Sequence, residues 1–409
     1  MAVQKKRIRE KILANLASYG VQWSEAEGKI SVADFRETQA KLARQTNPKQ
    51  ELYFEKVKKY LADPKEIDIL KVKPYLVLVD QSEEHKRIWS YAAGFWSIPV
   101  TTGYGRRLRY FVFDEQNDKL IGIVGLADPV IGLEMRDIES IDWTKEQKLE
   151  RLYNCMTAYI LGAIPPYNRV LGGKLVALTV MFPEVRKWFY DKYKESESII
   201  TKIQKKPYLV YVDTMGAFGK SSIYNRLVNW DFIGYTKGKS HIHITANGSW
   251  ELIKKVVSPE DFKTYKYGQG PNWKMRILGK GLRELGFSDE MMSIGWKRGY
   301  YRCALAENWK EYLQGKVKRV KWKQFDKNEL VEHWKTRWIL PRLKDLHEKL
   351  LNEDLGRIQC PAIVVKWNDL IPIVTINRRV GCPSPNGEGH GLDFFSVKMA
   401  CWISKAVFI

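Results

Sequence analysis

Residues 167–182, YNRVLGGKLVALTVMF, hold the arrangement best suited to chemistry: Arg169, the adjacent Gly172 and Gly173, Lys174, and then an apolar run. A helix beginning near Gly173 leaves its first amide N–H groups without intrahelical partners, and together with the helix dipole these attract a phosphate. Glycine removes the Cβ that would hold the anion away, and Arg169 and Lys174 add charge-assisted hydrogen bonds. The chemistry would be the holding of a phosphate-bearing donor. The run KLVALTVMF is also rich in β-branched residues, which suits a buried strand. Pro183 and the helical pattern after it favour the helix.

Other residues could do different chemistry. Asp128, Asp137, Asp142 and Asp213 lie near predicted strand ends, where two or three converging carboxylates could hold Mg²⁺ for phosphodiester chemistry. Asp142 also reads as a helix cap and Asp128 as a turn residue before Pro129. His241 and His243 alternate in SHIHIT and so share a strand face, but a third ligand has no obvious source; a polar strand face and no metal are expected. Arg106, Arg107 and Arg109 follow two glycines in TTGYGRRLRY, as a phosphate-gripping turn would. In GKVKRVKWK, Lys316, Lys318, Arg319, Lys321 and Lys323 surround Trp322. Such cations neutralise phosphates, and an exposed Trp stacks on an unpaired base for about 1–3 kcal/mol. Trp334 and Trp338 stand one helical turn apart, a spacing that equally suits a core.

Composition sets the context for these groups. The chain has 409 residues, 44% hydrophobic and 12% aromatic, so it has ample material for a packed core and suits two domains better than one. Its 68 Lys and Arg against 47 Asp and Glu give a formal charge of +21. An excess of that size attracts polyanions, so the expected partner is nucleic acid, DNA ahead of RNA. No segment has the uninterrupted apolar length that spans a bilayer, and the basic start lacks an apolar signal core. A cytoplasmic protein without a membrane partner is expected. The five cysteines carry no CxxC pair, which suits reduced thiols rather than a disulfide framework.

The elements that must position these groups divide into four regions. Residues 1–72 read as a basic helical cap: a helix stopped by Gly20, a second over SVADFRETQAKLARQ capped by Ser31 or Asp34, and a third over PKQELYFEKVKKYLAD. Residues 73–260 read as a mixed α/β core. In it, a strand from Tyr75 to Val79 precedes a helix capped by Ser82, and Leu108–Phe113 and Leu120–Leu126 form a hairpin. A helix capped by Asp142 or Thr144, the strand AYILGAIPP, the glycine-pair segment and a helix from Pro183 follow. The strand PYLVYVDTMG, a short helix over GKSSIYNRLVNW and a terminal hairpin over FIGYTKGKSHIHITANG complete the pattern. Residues 261–355 are basic, Trp-rich and mostly helical, and residues 356–409 are β-rich. The fold class is α/β (α+β).

The ordered segments PYLVLVDQSEEHKRIW, GYGRRLRYFVFD, LIGIVGLADPV, DWTKEQKLERLYN, YLVYVDT and SIYNRL…FIGYTKG resemble the DruA-like family of Druantia anti-phage defence proteins over roughly residues 70–260. That family is similar in layout to the GNAT acyltransferase superfamily, which implies a GNAT-like mixed central sheet. Under this resemblance NRVLGGK corresponds to the superfamily's pyrophosphate loop. Arg169 and Gly172 match the motif, whereas Lys174 stands where a second small residue belongs and Gly173 comes one place early. Tyr224 matches the tyrosine that protonates a leaving thiolate, and Asp213 is the acid paired with it as a candidate catalytic residue. The resemblance implies a protein of phage defence or a mobile element that binds nucleic acid and transfers a group from an acyl-CoA-like donor, with other defence proteins as partners. A non-catalytic nucleic-acid-binding subunit and a metal-dependent nuclease or transposase-like enzyme are the alternatives.

Overall fold

The computed structural model describes residues 2–34, 37–38, 50–96, 105–197, 203–216, 219–236, 241–265, 273–293, 295 and 297–352. The β-rich reading of residues 356–409 falls outside them, as does most of the helix expected over SVADFRETQAKLARQ. Of that helix's two candidate caps, Asp34 accepts a hydrogen bond from the Glu37 amide at 3.1 Å, whereas Ser31 lies in a strand.

The N-terminal region is not wholly helical. After the helix Ala2–Ser18, Gly20 at φ 78° turns the chain into an antiparallel hairpin of β1 (Val21–Ser24) and β2 (Lys29–Val32). Val21, Trp23, Ile30 and Val32 pack onto a separate small core with Leu278, Leu282 and Phe287. Four-residue strands are too short for alternation to stand out against a helical background.

The main sheet has seven strands: β3 (Pro74–Leu78), β4 (Arg107–Asp114), β5 (Lys119–Ala127), β6 (Cys155–Ala163), β7 (Tyr211–Met215), β8 (Trp230–Tyr235) and β9 (Gly299–Ala304), in the order β3-β4-β5-β6-β7-β9-β8. All pairs are antiparallel except β6 with β7. This is a mixed α/β architecture, as the pattern of elements required. The expected terminal hairpin over FIGYTKGKSHIHITANG is corrected: β8 pairs with β9, which returns from more than sixty residues later, and His241 and His243 lie at a short helix, Ile242–Thr245. The expected helix over GKSSIYNRLVNW is a run of turns, because Arg226 and Asn229 take positive φ values of 59° and 60° that no helix continues through.

Local chemistry explains the elements around the centre of the sheet. Ser82 accepts from the His85 amide and starts the helix Glu83–Ala93, and Thr144 with Gln147 forms a reciprocal capping box on the helix Lys145–Arg151. The glycine-pair segment is helical from Gly172 to Leu178 and tightens into a 3₁₀ turn through Met181. Its apolar side chains, Leu175 to Phe182, are buried in the largest core together with Tyr110, Val112, Val124, Met156, Leu161 and Val212 of β4–β7. The same core takes in Trp334 and Trp338, so these two tryptophans hold the C-terminal helices against the sheet.

Two departures from regular pairing shape the strands beside that helix. Gly125 faces Ile160 while Leu126 faces Ala158, so Tyr159 is an extra, bulged residue in β6. Gly122 lies so close to β6 that a Cβ there would stand 2.2 Å from the Gly162 carbonyl oxygen and 2.8 Å from the Ala163 Cα. Both obstacles are backbone, so β6 would have to move. Gly122→Ala is expected to destabilise the fold by roughly 1–3 kcal/mol, the usual cost of overpacking, read as a lower denaturant midpoint at unchanged slope.

Candidate functional site

Strands β6 and β7 pair for only three residues: Cys155 with Tyr211, Met156 with Val212, and Thr157 with Asp213. Past that point the Thr214 hydroxyl, rather than a backbone amide, donates to the Ala158 carbonyl at 2.8 Å. A side chain has taken the place of the next ladder bond, next to the bulge at Tyr159. The strands then separate, and a cleft of about 560 Å³ opens between their C-terminal ends.

The walls of this cleft come from segments distant in sequence. Phe95 and Trp96 close one side, the end of β6 and Gly173 with Lys174 form the floor, and Ser221 to Arg226 face them across the gap. Lys174, Arg226 and Arg342 are its cations, and among the described residues no carboxylate lines it. A site with this balance accepts a phosphate or another anion far more readily than a cation.

Lys174 is the most constrained of the three. Its ammonium donates to the carbonyls of Ile223 and Asn225, both at 3.1 Å, and lies 3.9 Å from the centre of the Trp338 ring. Burial, with Arg342 and Arg226 nearby, pulls it down from an ordinary 10.5 to about 8. Two of its three N–H donors are spent on the loop that carries Tyr224. Gly172 is packed against its own preceding turn, where a Cβ would meet the Tyr167 carbonyl oxygen at 2.6 Å, and Gly173 faces Ile223. Leu171, just before them, takes a left-handed φ of 57°, and its carbonyl accepts from the Trp334 indole at 3.2 Å. Arg169 is exposed and does not line the cleft.

Tyr224 lines the cleft with its ring packed against Trp230 and Tyr301, at centroid distances of 4.9 and 5.2 Å. Its hydroxyl interacts with the Thr214 side chain, and burial raises its pKa to about 12. The phenol is therefore protonated at neutral pH and able to donate. Asp213 lies elsewhere. Strand alternation sends Val212 and Thr214 to the cleft side and Asp213 to the opposite face, where Thr157 and Tyr300 donate to its two oxygens. Burial raises its pKa and the neighbouring Arg136 opposes that shift. The structure thus brings Gly173, Lys174 and Tyr224 together and leaves Asp213 and Arg169 apart from them.

The remaining acids do not converge. Asp128 accepts two guanidinium bonds from Arg106 on one oxygen and the Arg106 amide on the other, Asp137 is held by Arg136 and Lys148, and Asp142 sits in a left-handed turn. Among the described residues no three His, Cys, Asp or Glu side chains are grouped as metal ligands would be.

Of the basic candidates, the first three are engaged within the chain. Arg106 pairs with Asp128 and stacks on Tyr153 at 3.8 Å, Arg107 covers the Tyr159 ring, and Arg109 donates to the Tyr159 hydroxyl. The second group differs. Lys316, Lys318, Arg319 and Lys321 are exposed, Lys323 donates to Asn229, and Trp322 is half-buried under Arg186. Lys318, Arg319 and Trp322 border a second cleft of about 760 Å³, whose other wall carries Arg151, Lys205, Lys206 and Tyr208. Sequence reading missed that wall. Its signal was the KKPY run at 205–208, which looks like nothing more than the approach to a strand.

A protein-family model described as Druantia protein DruA matches residues 26–315. A Druantia protein DruA of Escherichia coli (strain UMEA 4076-1) is 37% identical over 295 residues, covering 70% of this chain and 73% of that protein. No solved structure matches the chain.

The titration of Lys174 offers a test of the cleft's geometry. Between about pH 8 and 10.5 the unfolded chain holds a proton at this residue that the folded chain has released, so this group's contribution to stability rises with pH across that window. Relative to Lys174→Met, the wild type is expected to gain in denaturant midpoint from pH 8 to 10.5, and a constant difference would show that the amine is not buried as described.

Proposed function

The chain belongs to the Druantia protein DruA family, and on that premise we propose that it serves in anti-phage defence as a nucleic-acid-binding protein whose GNAT-like sheet transfers a group from an acyl-CoA-like donor. The observation that carries the reading is the separation of β6 from β7 after three paired residues. A hairpin, a strand, a glycine pair opening a helix and a second strand follow in the order the acyltransferase resemblance implies, whereas its short tyrosine-bearing helix and final hairpin do not form. A cleft with three cations and no described carboxylate lies at the parting.

In this reading Gly173, with Gly172 buried behind it, and the Lys174, Arg226 and Arg342 charges would hold the donor's phosphates, and Thr214 and Tyr224 would flank its reactive end. Tyr224 acts as the general acid that gives its proton to the leaving sulfur. Burial that raises its pKa to about 12 keeps the phenol protonated at neutral pH but makes it a weaker acid than a thiol. Toward a developing thiolate it therefore acts first as a hydrogen-bond donor, and the proton passes over only as the phenolate is resolvated. Arg169, exposed and outside the cleft lining, would add only to the long-range positive field. Asp213 acts at a distance, by fixing Thr157 and Tyr300 beneath the parting strands. The acceptor is a nucleic acid, DNA ahead of RNA, drawn by the net charge of +21. Other proteins of the defence system are its partners.

A non-catalytic binding subunit is the second reading, favoured by how much of Lys174's hydrogen-bonding capacity the protein itself consumes. Calorimetry with acetyl-CoA separates the two. Binding that Gly173→Asp weakens tenfold or more, with a transfer rate that Tyr224→Phe lowers by roughly 10²–10⁴, is the expected result. No heat from either the wild type or the variant would leave the binding subunit.

A further inference from the structure

The second cleft lies at the opposite end of the same strand pair, where Arg151 and Asn154 lead into β6 and Tyr208 leads into β7. Five cations, Arg151, Lys205, Lys206, Lys318 and Arg319, line it against the single carboxylate of Glu150. Two of the five are partly satisfied. Arg151 pairs with Glu150 at 3.0 Å and stacks on Tyr312, and Lys205 donates to the carbonyls of Leu149 and Glu150 at the end of the helix Lys145–Arg151. Lys206, Lys318 and Arg319 are exposed, and none has an acidic partner among the described residues. Elsewhere this chain pairs many of its lysines and arginines with carboxylates. Here it gathers unneutralised charge from three separate segments, and mutual repulsion makes that costly unless an anion enters.

The cleft also has aromatic walls. Tyr208 and Trp322 meet edge to face at 5.9 Å, each half-buried. One ring is backed by Tyr190, nearly parallel at 5.8 Å, and the other by the Arg186 guanidinium at 4.7 Å. Rings fixed from behind and bordered by free cations form a platform on which an unpaired base stacks while its phosphates are neutralised at the rim. A base paired in a duplex could not reach them.

We propose that this cleft binds single-stranded nucleic acid, with a base lodged against Trp322 and Tyr208 and the backbone phosphates on Lys206, Lys318 and Arg319. A strand rather than a free nucleotide is favoured because the cations lie on both walls and continue outward through the exposed Lys316 and Lys321. The inference deepens the nucleic-acid reading above and rests on it.

The test uses the full chain and a fluorescein-labelled oligothymidylate, followed by anisotropy across a salt series. Lys318→Gln with Arg319→Gln is expected to weaken binding tenfold or more and to reduce the log–log salt slope by about 1.4, the loss of two single-strand phosphate contacts. Trp322→Ala is expected to weaken it roughly 5- to 150-fold with the slope unchanged, and Trp322→Phe to restore most of it. Lys344→Gln with Lys349→Gln, two exposed cations on the C-terminal helix, removes the same charge away from the cleft and is expected to leave most of the affinity. Equal losses from the two double variants would overturn the cleft while leaving nucleic-acid binding intact. Failure of the wild type to bind would overturn both readings. Thymidine monophosphate competing as well as the strand at equal nucleotide concentration would make this a nucleotide pocket, and polyglutamate competing equally well, with Trp322→Ala silent, would make it an acidic-protein site; either result overturns the proposal.

Discussion

The structure depends on one interrupted ladder. Parallel strands gain an evenly spaced series of hydrogen bonds for as long as they stay together, and β6 and β7 stay together for three residues. What stops them is local and identifiable. The bulge at Tyr159 bends β6, and the Thr214 hydroxyl satisfies the Ala158 carbonyl that would otherwise need a backbone partner. Without that side-chain bond a carbonyl would be left unpaired at the edge of the core, at a cost of about 1–3 kcal/mol. With it, the strands can part and a cleft can exist at the centre of a sheet.

The same pair of strands organises both clefts. Their diverging ends form the floor of one; the turns that lead into their starting ends form the walls of the other. Between them runs a buried polar layer of Asp213, Thr157, Tyr300, Tyr211 and Ser140, joined by hydrogen bonds. Buried polar groups that are fully paired fix one arrangement of the strands that carry them, because any shift leaves a donor or acceptor unsatisfied. Asp213 is therefore better understood as part of what holds β7 in register than as a group that meets a donor. A strand residue faces the cleft only if its parity matches, and Asp213 has the parity of Tyr211 rather than that of Thr214.

Much of the sheet was legible in the sequence, and the reasons are physical. The hairpin of β4 and β5 announces itself by two apolar runs around a polar turn, and Ser82, Thr144 and Pro183 mark helix starts through capping chemistry that acts within a few residues. The glycine pair opened a helix because burial of Leu175 to Phe182 outweighed their β-branched character. What could not be seen was non-local. The partner of β8 lies far along the chain, and nothing in FIGYTKG distinguishes a strand that waits for β9 from one that folds back on its own successor. The same limit hid Arg226, Trp338 and Arg342 at the first cleft and Lys205, Lys206 and Tyr208 at the second.

Tryptophan shows how far local reading goes. Trp322, Trp334 and Trp338 share one basic stretch, yet burial separates them completely. Trp334 is fully buried with its indole bonded to Leu171, Trp338 lies under the Lys174 ammonium, and Trp322 stands half-open among unpaired cations. The helical spacing of the first two carries them into the core. Trp322 precedes the helix Lys327–Trp334 and lies within a short extended stretch, bridged to Ala306 itself while the next residue, Lys323, donates to the Leu305 carbonyl, so it has no helical apolar stripe to join. Its neighbours are lysines because a segment lying along the surface can be charged on every side that water reaches. A large aromatic ring left in such a segment is costly to expose in full, and the chain covers part of it with Tyr208 and the Arg186 guanidinium, leaving the rest open among lysines.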